Sequence, residues 1–146
     1  MPSKPRKTTR AASFGCGVDV VELPRLKQAI ARGGEAFLRR IFTTQERAYA
    51  RARPRTQLLH LAGRFAAKEA VIKAISQLDP TRVLAMNQVE VRNDRFGRPH
   101  ILLHDGRARR VSVHMSLSHV DSIAVASAIA IRTRSPHPSL NAVLLM

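Results

Sequence analysis

The stretch 56–78 constrains the fold more than any other part of this sequence. It is rich in Ala and Leu, Gly63 is its one glycine, and Asp79-Pro80 follows it, so it predicts a long helix. One face of that helix is apolar and carries Leu58, Leu61, Ala62, Phe65, Ala66 and Ile72. At about 100° per residue, Glu69 lies within roughly 20° of Leu58 and Ala62, near the middle of this face.

A second carboxylate also stands in apolar surroundings. Asp19 interrupts the strand-like run 16–21, although Asp is depleted in strands. Buried carboxylates are costly unless a cation compensates them. Mg²⁺ binds one or two carboxylates together with water and substrate phosphate. In a chain of formal net charge +15, Asp19 and Glu69 together predict a site for a divalent cation and a phosphate.

Each of these carboxylates also has a purely structural interpretation. Lys73 follows Glu69 at i+4, and such pairs commonly stabilise exposed helices. Asp19 has the position of a residue that caps a following turn or helix. Arg64 and Lys68 are predicted to project from one flank of the helix, outside its most apolar arc.

The remaining elements are shorter. Residues 14–22 predict a buried strand, and Pro24 begins a helix that Gly33-Gly34 stops near Arg32. A short helix follows at 36–41. Thr43-Thr44-Gln45-Glu46 has the pattern of an N-terminal capping box. Four later runs alternate as strands: 89–92, 100–104, 111–117 and 123–131. Their predicted inward residues include Val113, Met115, Val125 and Ile129.

Composition limits the class of protein. A chain of 146 residues with 45% apolar residues suits one folded domain, predicted at 14–132, with a disordered basic arm at 1–13 and a mobile tail at 133–146. Cys16 is the one cysteine, which fits a reducing cytoplasm. No stretch reaches the roughly 20 apolar residues of a membrane span. The excess of Lys and Arg favours an anionic partner.

Two further motifs carry polar groups. Gly97-Arg98-Pro99 belongs to a predicted hairpin turn, where glycine also permits close approach of a phosphate or a flat ring. Ser118-His119 ends an alternating strand, and its hydroxyl and imidazole suit a phosphate. A Ser-His hydrolase is disfavoured because the sequence has no Gly-x-Ser-x-Gly elbow.

Four pieces of the sequence, in this order, resemble the holo-acyl-carrier-protein synthase group of 4′-phosphopantetheinyl transferases. They are Gly17-Val18-Asp19-Val20-Val21-Glu22, the run Arg64-Phe65-Ala66-Ala67-Lys68-Glu69-Ala70-Val71-Ile72-Lys73-Ala74, then Gly97-Arg98-Pro99, and Ser116-Leu117-Ser118-His119. The resemblance extends from about residue 16 to 131. The long run joined to an upstream Gly-Val-Asp is its most specific part.

The resemblance implies an α+β fold of the phosphopantetheinyl transferase type, with an antiparallel sheet packed on a long helix. It also implies a homotrimer with active sites between subunits. The implied reaction transfers 4′-phosphopantetheine from coenzyme A to a serine of an acidic apo acyl carrier protein. Adenosine 3′,5′-bisphosphate is the implied second product, and fatty-acid or polyketide biosynthesis the implied setting.

By match of position, the resemblance also implies roles for individual residues. Asp19 and Glu69 bind Mg²⁺ (or Mn²⁺), and Lys73 stabilises the pyrophosphate or assists proton transfer. The coenzyme A site is lined by Arg64, Lys68, Gly97, Arg98, Pro99, Ser118 and His119, with His119 from the adjacent subunit as one option. The general base stays open between Glu69, Asp19 through water, and water alone.

Arg25 and Arg32, two turns apart on the first helix, are the cations expected to meet the carrier protein. The sequence departs from the family at Asp105-Gly106-Arg107-Ala108-Arg109-Arg110, a short segment where relatives often have a further helix. This departure affects the expected cleft wall and trimer packing.

Two other functions remain in competition. The net charge also suits a nucleic-acid-binding module, but aromatic residues are only 4% and no nucleic-acid motif is recognised, so no nucleic-acid partner is expected. An inactive coenzyme A-binding relative is disfavoured because every matched polar position is occupied.

Overall fold

The computed structural model describes residues 13–133. The predicted arm at 1–13 and the predicted tail at 133–146 lie outside that range, except for Ser13 and Thr133. The described helices and strands are, in order, β1 (Phe14–Glu22), α1 (Leu23–Ile41), α2 (Thr44–Arg51), α3 (Gln57–Leu78), β2 (Val89–Asn93), β3 (Pro99–Leu103), β4 (Val111–Val120) and β5 (Ile123–Arg132).

The strands form two antiparallel sheets. One has the order β1-β5-β4, and the other is the β2-β3 hairpin. The predicted α+β class and antiparallel pairing are confirmed, although the strands are divided between two sheets. Within the described part of the chain, no helix is long and apolar enough to cross a bilayer.

Two of the predicted local signals behave as expected. Gly34 has φ 54° and ψ −146°, which divides α1 by a kink where the sequence predicts a break. Thr43 caps α2, because its side chain accepts from the Glu46 amide while the Glu46 carboxylate accepts from the Thr43 amide. The predicted capping box is therefore confirmed.

The three-stranded sheet packs on α3 through small residues. Ala124, Ala126, Ala128 and Ala130 of β5 face the helix and are buried. A Cβ atom at Gly17 would stand 2.0 Å from the carbonyl oxygen of Ala70, and one at Gly15 would stand 2.0 Å from that of Ala74. The close approach of β1 to α3 therefore requires glycine at both positions.

The predicted inward face is correct for β4 and wrong for β5. Val113 and Met115 lie half-buried on the α3 side, opposite Ala130 and Ala128. Val125 and Ile129 point to the other face, because neighbouring strand residues alternate and the alanines occupy the helix side. Small, fully buried alanine side chains thus form the β5 side of the contact with α3.

The other face of this sheet is apolar and largely exposed in the single chain. Its exposed large side chains are Phe14, Val18, Val20, Val120, Ile123, Ile129 and Ile131. A contiguous apolar surface of this kind commonly marks an interface with another protein chain. We call it the outer sheet face.

Candidate active site

Asp19 and Lys73 join β1 to α3. The Lys73 Nζ donates to Asp19 Oδ1 at 2.8 Å and to the Val18 carbonyl at 3.0 Å. The side chain of Asp19 is 18% exposed and that of Lys73 is 50% exposed. The ion pair raises the pKa of Lys73. Lys73 is therefore a fixed cation at the rim of the site.

Glu69 lies half-buried beside this pair, one helical turn before Lys73. Burial raises the pKa of Glu69, the negative charge of Asp19 raises it further, and Lys73 opposes both effects. The structure thus brings Asp19 and Glu69 together as mutually repelling carboxylates with one shared cation. Such a pair is well suited to a second, divalent cation.

The sequence-based view of the α3 flank is wrong. Arg64 and Lys68 were expected outside the apolar arc, but both are buried. The physical reason is that the three-stranded sheet covers one side of α3 while α2 and β2 cover another. What appears in the sequence as a flank is therefore the interior between the two sheets.

This burial makes the Lys68 side chain inaccessible to a ligand. Its Nζ lies 2.6 Å from Glu46 Oε2 and donates to the carbonyls of Met86 and Val89 at 3.0 and 2.5 Å. Both side chains of the Lys68–Glu46 pair are 0% exposed. The predicted contact of Lys68 with coenzyme A is therefore replaced by a structural role.

Glu46 is the most buried carboxylate of the described residues, and sequence reasoning treated it only as a capping residue. Besides Lys68 and the Thr43 amide, it accepts from the Val91 amide at 2.8 Å. It thereby connects α2, α3 and β2. In the sequence, the one sign of this role was a lysine, Lys68, within an alanine-rich part of α3. Its partner Glu46 is 22 residues earlier in the chain, so no local pattern connects the two.

Arg64 is held in an aromatic and cationic cluster that the sequence analysis missed. Its guanidinium carbon lies 4.1 Å from the centroid of the Tyr49 ring, and that of Arg53 lies 3.7 Å from the same centroid. Tyr49 also meets His60 edge to face. Burial lowers the pKa of Arg64 and of His60. The i,i+4 spacing of Tyr49 with Arg53, and of His60 with Arg64, was the available signal.

Asn93 connects this cluster to the hairpin turn. Its Oδ1 accepts from Arg64 at 3.0 Å, and its Nδ2 donates to the Gly97 carbonyl at 2.9 Å. Gly97 has φ 79°, which favours glycine. Arg98 is exposed and pairs with Asp94 at 2.9 Å, and Pro99 begins β3 half-buried. Hydrogen bonds through Asn93 therefore connect the turn to the almost fully buried Arg64.

Ser118 and His119 do not share one face. As neighbours on β4, they point to opposite sides of the sheet. His119 is on the α3 side, where its charge contributes to lowering the pKa of His60. Ser118 is on the outer sheet face. Within one chain, only His119 joins the Arg64 cluster.

Arg25 and Arg32 lie exposed on α1, before the kink at Gly34. A spacing of seven residues places them on one side of that helix. Neither has an ion pair or hydrogen bond among residues 13–133, so both side chains are available to a partner.

No group of three or more His, Cys, Asp or Glu side chains is assembled within residues 13–133. A metal ion at this site would therefore depend on the two carboxylates for its protein ligands. Asp19 and Glu69 would offer hard oxygen ligands, and substrate oxygens and water would complete such a coordination sphere. The donor set fits a magnesium-like ion that is shared with a phosphate.

Comparisons with known proteins identify the family to which this chain belongs. The 4′-phosphopantetheinyl transferase superfamily profile ACPS matches residues 15–128. A holo-[acyl-carrier-protein] synthase of Koribacter versatilis is 38% identical over 123 residues, covering 80% of this chain and 96% of its own length. The chain therefore belongs to the 4′-phosphopantetheinyl transferase superfamily. It is an enzyme of the holo-[acyl-carrier-protein] synthase group, as the resemblance predicted.

Solved structures show the same similarity. A structure described as the ACPS–CoA complex of Chronobacterium ammoniagenes aligns with TM-score 0.72 and 31% identity, covering 84% of this chain and 100% of the other. The Bacillus anthracis holo-(acyl-carrier-protein) synthase in complex with CoA (3′,5′-ADP) aligns with TM-score 0.66 and 32% identity, covering 82% and 96%. The aligned structures support the fold, and the family to which they belong supports the reaction type, phosphopantetheinyl transfer.

Glu69 gives a prediction for stability in the absence of metal. Because folding raises its pKa above the ordinary 4.5, its ionisation destabilises the folded state. This penalty is absent below the unfolded pKa and grows as pH rises through the folded pKa. We expect the Tm advantage of Glu69→Gln over the parent to increase as pH rises from about 4 to 8. Thermal melts in a chelating buffer measure it.

Glu35→Gln is the matched control with the opposite sign. Hydrogen bonding to Arg51 lowers the pKa of exposed Glu35, so its stabilising effect is present at high pH and disappears as pH falls through the folded pKa. Glu35→Gln should therefore lose stability relative to the parent as pH rises. A Glu69→Gln advantage that stays constant or shrinks with rising pH would contradict the prediction.

Proposed function

We propose that this enzyme transfers 4′-phosphopantetheine from coenzyme A to a serine of an acidic apo acyl carrier protein, in fatty-acid or polyketide biosynthesis. Adenosine 3′,5′-bisphosphate is the second product. The observation that carries the proposal is the meeting of Asp19 and Glu69 beside Lys73. The names of the similar proteins supply the substrates, coenzyme A and the carrier.

Asp19 and Glu69 would hold Mg²⁺, with Mn²⁺ as an alternative. Asp19 Oδ1 accepts from Lys73, while the other carboxylate oxygen has no hydrogen bond within residues 13–133. When bound, the ion would offset the negative charge of the coenzyme A pyrophosphate. Its charge would also relieve the repulsion between the two carboxylates. Mg²⁺ should therefore raise the Tm of the parent and leave that of Asp19→Ala unchanged.

Lys73 provides the protein's own charge at the reacting phosphate. Asp19 and the Val18 carbonyl hold its ammonium group, so its position is set before substrate binds. Preorganised charge of this kind stabilises charge that develops during phosphoryl transfer. The raised pKa of Lys73 keeps it protonated, which favours electrostatic stabilisation over service as a general base. The serine proton then goes to Glu69, to Asp19 through water, or to water alone.

Coenzyme A is assigned to the surface that runs from Arg64 through Asn93 to the hairpin turn. Gly97, Arg98 and Pro99 form that turn, and His119 lies beside the Arg64 cluster. Lys68 has no part in this surface because it is fully buried. We add three residues of the Arg64 cluster to the proposed coenzyme A site: Tyr49, Arg53 and His60. Cationic and aromatic groups together suit an adenine nucleotide with phosphates.

The acyl carrier protein is assigned to α1. Arg25 and Arg32 are exposed on one side of that helix and lack partners among the described residues. An acidic carrier helix would supply the complementary charge. The cytoplasm is the proposed compartment, in keeping with the single cysteine, Cys16.

A homotrimer accounts for two features of the single chain. The outer sheet face exposes Val18 and Val20 at 58% and 59% and Ile129 at 49%, which a second copy would cover. Ser118 also lies on this face, so it would line a coenzyme A site only across a subunit boundary. The assignment of His119 to the adjacent subunit's site stays a prediction.

Labelling of an apo acyl carrier protein tests the proposed function. The parent enzyme, coenzyme A and Mg²⁺ should add the mass of phosphopantetheine to the carrier serine. Asp19→Ala and Glu69→Ala should each slow labelling at least about 100-fold. Mutation of a residue that only supports a metal ligand already lowers activity by up to about 100-fold, and loss of a direct ligand should cost at least as much.

Glu35→Ala, which removes an exposed carboxylate of α1, is the control and should label at the parent rate. Circular dichroism at the assay temperature checks that each variant is folded. Labelling at parental rates by both site variants would exclude the proposed metal site. Absence of labelling by the parent with every carrier tried would exclude the transfer itself.

A further inference from the structure

A cavity of about 580 Å³ lies at the C-terminal end of α3, away from the proposed transfer site. Its apolar wall consists of Ile75, Leu78 and Val111, and its polar wall contains Arg82, Arg107, Arg110 and Arg132. The volume is within the range of small-molecule sites, about 300–1,000 Å³. None of these arginines belongs to the motifs that carry the family resemblance. We call this cavity the arginine pocket.

The arginine pocket is separate from Asp19. Asp19 pairs with Ala126 of β5, whereas Arg132 lies six residues further along the same strand. At about 3.4 Å per residue, Arg132 is ~20 Å along the strand from Ala126, the residue opposite Asp19. A ligand in this pocket would therefore not touch the carboxylates or Lys73 of the same chain.

Two of the four guanidinium groups are held rigidly. Arg82 donates through Nε and Nη2 to the two oxygens of Asp105, at 2.6 and 2.7 Å, and its side chain is 4% exposed. Arg132 donates to the Leu78 carbonyl at 2.6 Å, which places it at the end of α3. Both retain N–H groups that these bonds do not use.

The other two arginines are more available. Arg107 lies 3.5 Å from Asp79 in an exposed ion pair, which contributes little stability. The side chain of Arg110 has no hydrogen bond or ion pair within residues 13–133. The four arginines are opposed by the two carboxylates of Asp79 and Asp105, so this cluster has two positive charges in excess.

We propose that the arginine pocket binds a small organic phosphate monoester. A phosphate monoester is close to a dianion at neutral pH, which matches the excess of two positive charges. Guanidinium groups bind phosphate oxygens through paired hydrogen bonds. The apolar wall formed by Ile75, Leu78 and Val111 receives the organic part.

A compact ligand is favoured over a polyanion. The positive charge is concentrated around one cavity at the end of α3, whereas nucleic acid is bound by charge spread along a groove or stripe. A free inorganic phosphate would leave the apolar wall uncovered. Phenyl phosphate and inorganic phosphate are therefore the two probes that separate these cases.

The test is a titration of the full chain with phenyl phosphate, followed by amide chemical shifts in NMR and by calorimetry. We expect saturable shifts at Gly106, Arg107 and Arg110. Because a hydrogen bond to a charged group is worth enough to change affinity about tenfold or more, Arg110→Gln should weaken binding by at least about that factor. Inorganic phosphate should bind at least about tenfold more weakly than phenyl phosphate, since it lacks the apolar contact.

Arg40→Gln is the matched control, because Arg40 is an exposed arginine of α1 outside the pocket. It should leave affinity for phenyl phosphate unchanged. An equal loss in Arg40→Gln and Arg110→Gln would show non-specific charge attraction and overturn the proposal. Shifts confined to residues near Arg64, no saturable binding, or Arg110-dependent binding of an apo carrier protein alone would also overturn it.

Two crossed measurements separate this inference from the proposed function. Asp19→Ala should retain binding of phenyl phosphate at the arginine pocket while it loses carrier labelling. Arg110→Gln should lose the binding and retain labelling measured without phenyl phosphate. Loss of pocket binding in Asp19→Ala would show that the two sites are one and would overturn the inference.

Discussion

Lys68→Met should destabilise this enzyme by about 3–5 kcal/mol, because it leaves the buried Glu46 carboxylate without its cation. It also removes the donor to the carbonyls of Met86 and Val89. The Glu46 side chain is 0% exposed, so water cannot replace the lost partner. Urea unfolding followed by circular dichroism measures the change.

The double variant Lys68→Met with Glu46→Gln separates charge from packing. A neutral Gln removes the uncompensated charge, so this variant should recover part of the stability lost by Lys68→Met alone. Lys73→Met is the exposed comparison and should cost less than about 1 kcal/mol, as surface ion pairs do. A loss below about 1 kcal/mol in Lys68→Met would contradict the buried pair.

Gly17→Ala should destabilise the fold by about 3 kcal/mol, at the upper end of the usual cost of overpacking. The new Cβ would stand 2.0 Å from the Ala70 carbonyl oxygen, and a backbone atom cannot rotate away as a side chain can. Strand β1 must therefore separate from α3, which also displaces Asp19 from Glu69. Denaturant unfolding and carrier labelling should both show a loss.

Gly63→Ala is the control at the same sheet–helix interface. Its Cβ would stand 3.8 Å from Leu117 Cδ1, which is an ordinary contact, and alanine favours the helix by up to about 1 kcal/mol. This variant should be as stable as the parent or slightly more stable. If Gly17→Ala behaved in the same way, the close approach of β1 to α3 would be wrong.

Local signals in the sequence predicted much of the fold correctly. The capping box at Thr43 and Glu46 and the break at Gly34 depend on interactions within a few residues, so their patterns are visible in the chain. The family motif likewise identified Asp19, Glu69 and Lys73 as a group. Their roles in metal and phosphate binding stay a prediction, which comes from residue type and from the resemblance.

The interior partners could not be predicted in this way. Helical periodicity assigns a residue to a face of α3 but does not say how many sides of α3 are covered. Lys68 was therefore expected on a flank outside the apolar arc, whereas contacts with α2 and β2 bury it against Glu46. In β5 the expectation of inward Val125 and Ile129 failed because the alternate residues, the alanines 124, 126, 128 and 130, are the ones buried against α3.

The sequence by itself determined the enzyme family, the two carboxylates and the local capping and break signals, because each depends on residue identity at short spacing. Tertiary structure decided which charged groups are buried, which strand face meets α3, and the assembly of Arg82, Arg107, Arg110 and Arg132 around one cavity. Those outcomes depend on the packing of segments that are far apart in the chain, and packing distance is not encoded in any local pattern.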